Sequence, residues 1–198
     1  LAALVRLGAP DELWTRLAAN TSLRSQVVAD LPTLGVDANL LLDRYKLETD
    51  PAIRRSLLLA LGDYSAKQLP DNARQAVIPK LREEYRHDPD PGVHGALDWL
   101  LRRWGQADEL AKIDVQLKAA RTAGRWFVNG QQQTFTALGP VDFEMGAEPG
   151  ESDRKADANR HARRIDRRFA IGTREITVAE VRLASNGYKP PLRYAPTE

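Results

Sequence analysis

The chain contains no cysteine. Disulfides, thiolate nucleophiles and cysteine-ligated metals are therefore excluded within it. The absence fits a reducing, cytoplasmic setting. Histidine is scarce: His87, His94 and His161 are the only three, and none has a second candidate ligand at a compact spacing. No apolar run approaches the roughly 20 residues that span a bilayer, and no signal peptide is visible. Neither charge sign dominates. A net charge of +2 makes no strong call on nucleic acid or membrane. The first residues, LAALVRLGAP, read as the tail of a helix, and the last, PPLRYAPTE, read as mid-loop. The expectation is a fragment cut at both ends.

What is present is a repeat. The stretch DPAIRRSLLLAL, beginning at Asp50, aligns with DPGVHGALDWLL, beginning at Asp90, at an offset of 40. Asp50 matches Asp90, Pro51 matches Pro91, Ile53 matches Val93, Leu57 matches Leu97, and Leu61 matches Leu101. A third copy, NTSLRSQVVADL from Asn20, places Leu23, Val27 and Leu31 in the same apolar positions. Asp or Asn offers a cap oxygen to orphan N–H groups, and Pro at the first helical position sacrifices no hydrogen bond. Apolar residues spaced by four then give one buried stripe. Partner helices lie between the copies: ANLLLDRYKLE capped by Asp37, a helix from Asp71 carrying Pro79 as a kink site, and a helical stretch from Ala107 to Leu117.

Helix pairs recurring every 30–40 residues predict an α-solenoid. The copies resemble HEAT-type repeats, whose second helices open on D-P-x-[VI]-R. Trp14, Trp99 and Trp104 sit among leucines at helical spacing and read as inter-repeat core. His87, beside the DPDP turn, and His94, one turn into a helix, read as surface or cap residues.

At Arg125 the period changes from 3.6 to 2. WFVNGQQQTFTAL places Asn129-Gly130 between two β-prone runs, which predicts a hairpin with a type I′ turn. KAARTAG (118–124) reads as the linker, with the boundary at 119–124. Next, VDFEM alternates Val141, Phe143 and Met145 with Asp142 and Glu144. That pattern predicts a strand with one buried face, closed by Gly146. A polar loop (148–159) follows, then apolar Ile165, Phe169 and Ile171 among arginines. Thr177 with Glu180 forms a capping-box pattern before a helix whose Val178 and Val181 point inward.

The order Phe143-x-Met145-Gly146, polar loop, His161, Phe169-x-Ile171, then Glu175-Ile176-Thr177 and a helix resembles the N-terminal part of the formylglycine-generating enzyme family. These are also called sulfatase-modifying factor domains. WFVNGQQQTF resembles the entry into such domains in bacterial multidomain proteins, where HEAT-like repeats precede them. The resemblance implies a fold in which an α-helical HEAT-like solenoid (1–118) is followed by an incomplete α+β domain of formylglycine-generating-enzyme, C-type-lectin-like, type (125–198). In one respect the chain departs from the family: AEVRLAS carries no aromatic residue after Glu175-Ile176-Thr177 until Tyr188.

Active members of the family oxidise a protein cysteine to formylglycine with copper held by two cysteines, and bind calcium structurally. Relatives perform other oxidations at non-haem iron or serve as binding modules. The family's cysteine and calcium motifs lie C-terminal to the E-[VI]-T helix. The resemblance therefore implies an oxidoreductase parent, with copper and calcium as its cofactors, and a cysteine-containing peptide or protein partner. It implies inactivity for these residues alone. The other expectation is a non-catalytic interaction scaffold built on HEAT repeats with a pseudo-enzyme domain.

No catalytic, cofactor-binding or metal-ligating residue is assigned. His161, without a partner ligand, reads as a strand-entry residue bonding a loop. Glu175 reads as a structural partner of a nearby arginine. The run RHARRIDRR is interrupted by Asp166 and reads as a solvated strand face, not a nucleic-acid site. No membrane insertion is expected.

Overall fold

The computed structural model describes residues 30–119, 125–131, 133–147, 159–178, 181–182 and 185. Among them are five helices and two small antiparallel sheets, an α+β arrangement. The helices are α1 (Ala38–Leu47), α2 (Pro51–Asp63), α3 (Asp71–His87), α4 (Pro91–Arg103) and α5 (Ala107–Ala119). The strands are β1 (Trp126–Val128), β2 (Thr134–Leu138), β3 (Val141–Met145), β4 (His161–Ile165) and β5 (Phe169–Gly172).

The helix starts follow from their caps. Asp37 Oδ1 accepts from the Asn39 amide at 2.9 Å. Asp50 Oδ1 accepts from Ala52 at 2.7 Å and Ile53 at 3.2 Å. Asp90 Oδ1 does the same for Gly92 and Val93, both at 2.9 Å. Each such cap is worth about 1 kcal/mol. Helix α3 has no side-chain cap and carries Pro79 inside it. At the end of α4, Gly105 adopts φ +75°. Its amide bonds the Arg102 carbonyl at 3.0 Å and the Gln106 amide bonds Leu101 at 2.9 Å. This Schellman closure needs a left-handed residue, and glycine takes that conformation without a Cβ penalty.

The aligned apolar positions form the core. Ile53, Leu57 and Leu61 of α2 and Val93, Leu97 and Leu101 of α4 are all buried, as are Leu58, Leu81, Tyr85 and Leu100. Each buried Leu or Ile contributes about 1.5–3 kcal/mol of transfer free energy. Trp104 is buried and Trp99 packs against the same cluster. Of the third repeat copy only Asp30 and Leu31 are described, and Leu31 is fully buried. The rest of that copy, Trp14 and the linker from 120 lie outside the described residues.

The first sheet has the order β1-β2-β5 and the second pairs β3 with β4. Together they make one long ribbon. Phe135 faces Gly172 and Leu138 faces Phe169 in the near half. Val141 faces Ile165 and Met145 faces His161 in the far half. Between the halves, two residues (Gly139 and Pro140) stand opposite three (Asp166, Arg167 and Arg168). The extra residue is a bulge that bends the ribbon. Pro140 suits this break, because it has no amide to give to a ladder.

Two local expectations change. The β1–β2 connection is a five-residue loop, 129–133, with Val128 paired to Thr134. Gly130 does not take positive φ, so no type I′ turn forms. Instead Asn129 Oδ1 accepts the amides of Gln131 and Gln133, each at 2.9 Å. The Asn side chain closes the loop in the manner of an Asx turn. Second, the alternating face of β3 is not buried: Val141, Phe143 and Met145 are 37%, 40% and 54% exposed. The strand forms as the alternation predicts, but beyond the bulge the ribbon leaves the helices and nothing among the described residues covers it. Gly146 ends β3 at φ +120°, and a Cβ there would sit 2.5 Å from the Asn159 carbonyl oxygen. Past β5, the Val181 amide bonds the Thr177 carbonyl at 3.0 Å. Glu180, the other half of the capping box, lies outside the described residues.

Candidate functional site

The polar groups concentrate where the first sheet meets α3, α4 and α5. Trp126 opens β1 and is buried. Its ring stacks on His94 of α4 at a centroid distance of 3.8 Å, and His94 stacks in turn on Tyr85 of α3 at 4.2 Å. Trp126 Nε1 donates to the Asp88 carbonyl at 3.0 Å. The indole thus closes the α3–α4 turn from outside.

His94 reads from sequence as a surface or cap residue, but it is fully buried. Its position explains the error. His94, Leu97 and Leu101 share one helical face through spacings of three and four, and that face is core. The signal was present in the periodicity. The covering indole, 32 residues away, was not. His94 Nδ1 lies 2.8 Å from the Tyr85 carbonyl, so Nδ1 carries the proton and donates. Nε2 is buried without a partner. Burial drives the imidazole pKa down to about 4, because the charged form would be desolvated.

Two ion-pair networks flank the stack. In the first, Arg54 of α2 bonds the Asp88 carboxylate, Glu84 at 3.3 Å and the Tyr45 hydroxyl at 3.2 Å. Tyr45 donates to Glu84. Burial first, and then the Glu84 carboxylate, push the Tyr45 hydroxyl above its ordinary range. In the second, the Tyr85 hydroxyl donates to Asp114 of α5 at 2.5 Å. Arg102 bonds Asp98 at 2.7 Å and Asp114 at 3.3 Å. Arg174, after β5, reaches Asp98 at 3.6 Å. Burial raises the Asp114 carboxyl above the usual range despite the Tyr85 hydrogen bond. Buried pairs of this kind add little net stability over an apolar replacement, but removing one partner leaves an uncompensated buried charge.

The sheet's other anchor is steric. Gly95 of α4 lies under Thr173: a Cβ at Gly95 would approach Thr173 Oγ1 to 3.0 Å. A recess of about 240 Å³ runs beside this contact, lined by Arg55, Leu59, Gly92, Trp99 and Arg174 among others.

The residues singled out in the sequence scatter. His87 is exposed and pairs with Glu83 at 3.2 Å. His161 opens β4 and bonds the Asn159 carbonyl at 2.8 Å, far in sequence from His94 and not joined to it. Glu175 makes no ion pair with an arginine among the described residues; the neighbouring Arg174 takes the Asp98 contact instead. Among the described residues no group of three or more His, Asp or Glu side chains forms a metal-holding cluster. No helix among them is long and apolar enough to cross a membrane. Of the residues that do converge, Tyr85, Asp98 and Asp114 look in sequence like ordinary helix positions and Asp88 like a residue of the DPDP turn. Asp98 and Arg102 at i,i+4 were the one legible pair.

The arrangement is a joint: aromatic stacking, buried ion pairs and a close backbone approach fasten the sheet to the helices. The chain matches no protein-family model, no curated protein and no solved structure.

Proposed function

We propose that the chain is a non-catalytic platform in which HEAT-like paired helices carry, in fixed position, the framework of a formylglycine-generating-enzyme-like domain. The observation that carries this reading is the burial of Trp126 against His94 with its Nε1 on the Asp88 carbonyl. A flexible tether between a scaffold and an independent domain has no use for such a joint. A seat that sets orientation does. The repeat-like equivalence of α2 and α4, down to their Asp-Pro caps and buried stripes, supports the HEAT-like assignment. The test is Trp126→Ala. A platform loses cooperativity between helices and sheet in that variant. An unfolding transition unchanged in midpoint and denaturant dependence would mean that the Trp126 seat does not couple the helices to the sheet, and would overturn the reading.

A second reading keeps the family's chemistry for a larger parent: oxidation of a protein cysteine to formylglycine, with copper and calcium. It is favoured by the order of elements from Phe143 to Thr177. A strand ends in Met145-Gly146, a second opens at His161, and a third runs Phe169–Gly172. Copper ligation by thiolates cannot come from these residues, which include no cysteine. This chain, incubated with copper and a cysteine-containing sulfatase-type peptide, should form no formylglycine. Measurable turnover would place the chemistry here and overturn the platform reading.

A further inference from the structure

Past the bulge, β3 and β4 form a two-stranded arm. All five residues of β3 and four of β4 are exposed. Such a pair is marginal in water by itself, and its two faces differ. One face carries Asp142 opposite Arg164, paired at 3.3 Å, with Arg160 near Glu144 at 3.5 Å. Its charges are satisfied. On the other face Val141, Phe143 and Met145 form an apolar lane along β3. Opposite them, Ile165, Arg163 and His161 line β4. The lanes are about 4.8 Å apart. Arg163 is exposed and makes no ion pair among the described residues, and the same holds for Arg167 and Arg168 in the bulge at the arm's base.

We infer that this face docks an acidic amphipathic segment of another protein, with apolar side chains on Val141, Phe143 and Met145 and carboxylates on Arg163 and the bulge arginines. Charge complementarity selects the occupant. Three uncompensated arginines beside an apolar lane call for an element with carboxylates flanking an apolar stripe. A membrane surface fits less well. Anionic-lipid sites gather 4–8 basic residues, whereas of the five arginines from 160 to 168 two are paired with carboxylates, and open strand edges do not enter hydrocarbon. Nucleic acid fits less well too: Phe143 is the one exposed Phe, Tyr or Trp of the arm among the described residues, and Asp142, Glu144 and Asp166 border it. A second copy of the arm would set Asp142 and Glu144 against their own kind along β3, or arginine against arginine along β4.

The inference rests on the platform reading, which supplies the rigid base. The probe is a fluorescent amphipathic helical peptide of about four turns with a Leu stripe flanked by Glu. Titration of the full chain by anisotropy should give saturable binding that weakens as salt rises. A peptide with the same stripe flanked by Lys should not bind, and neither should an acidic peptide with the stripe scrambled. Arg163→Glu and Phe143→Ser should each weaken binding about tenfold or more. Both sites are exposed, so the thermal transition should stay in place. Equal binding of the Lys peptide or the scrambled one, or no effect of either substitution, would overturn the inference. So would retention on phosphatidylserine vesicles or a single-stranded oligonucleotide in place of the Glu peptide. Binding by a chain whose helices and sheet unfold separately would sink the platform reading and leave the docking face standing.

Discussion

The indole of Trp126 lies on the imidazole of His94 with the ring centroids 3.8 Å apart and the planes inclined by 23°. His94 is in turn stacked on Tyr85, so three rings from α3, α4 and β1 form one column at the base of the sheet. Truncating its outer member removes a buried ring and strands the Asp88 carbonyl. Trp126→Ala should therefore cost about 3–5 kcal/mol in chemical denaturation. Trp126→Phe keeps most of the stacking area and loses the Nε1 hydrogen bond, so it should cost about 1–3 kcal/mol. A Trp126→Ala cost below about 1 kcal/mol would mean that the ring is not seated as described.

The column also makes the protein sensitive to acid. The His94 pKa is held near 4 in the folded chain, below its ordinary 6.5. The unfolded chain therefore takes up the proton first as pH falls. His94's contribution is fully present above about pH 6.5, declines between 6.5 and 4, and levels off below that. The total decline is on the order of 3 kcal/mol. Asp114 acts oppositely. Its folded-state pKa is raised, so its protonation in acid favours the folded state. The difference between wild type and His94→Phe isolates the histidine: it should change across pH 6.5 to 4 and stay flat from 7 to 8. A difference that does not vary with pH would place His94 in contact with water.

Arg54 of α2 holds Glu84 and Asp88, both at the C-terminal end of α3. The Asp88 side chain is 5% exposed, so it cannot recover hydration when its partner is removed. Arg54→Met should cost about 3–5 kcal/mol, and much of that should return in the Arg54→Met, Asp88→Asn double variant. The double-mutant cycle reads the coupling directly. Additive costs would mean that the two groups do not depend on each other.

The arm should behave differently from the body. Amides of β3 and β4 should exchange faster than those of α2 and α4, since few buried contacts resist local opening. Gly146→Ala places a Cβ against the Asn159 backbone in a conformation that L residues avoid. It should abolish arm pairing, seen as loss of β3–β4 amide protection, while shifting the global transition by less than about 1 kcal/mol. A global loss of stability in this variant would show that the arm is part of the core.

The helical half was largely legible because its rules are local. Asp37, Asp50 and Asp90 announce their helices within three residues, and the offset that aligns Ile53 with Val93 also picks out the core. The strands were legible for the same reason. What stayed hidden depends on residues distant in sequence. The alternation in β3 specifies a face but not whether anything covers it. Asn129-Gly130 specifies a turn, but the Asn129 side chain, accepting two amides, sets a longer loop. His94 needed Trp126, and Arg174 needed Asp98, to reveal their surroundings. Contacts across such separations leave no period in the chain.

The central claim is that helices and first sheet form one coupled unit. Native-state hydrogen exchange across a denaturant series tests it most directly, by comparing the amides of β2 with those of α4. The platform account predicts that the most protected amides of Thr134–Leu138 and of Pro91–Arg103 exchange through the same opening, with the same free energy and the same denaturant dependence. If β2 opens at lower free energy with a small denaturant dependence while α4 stays protected, the sheet is merely tethered, and the account is contradicted.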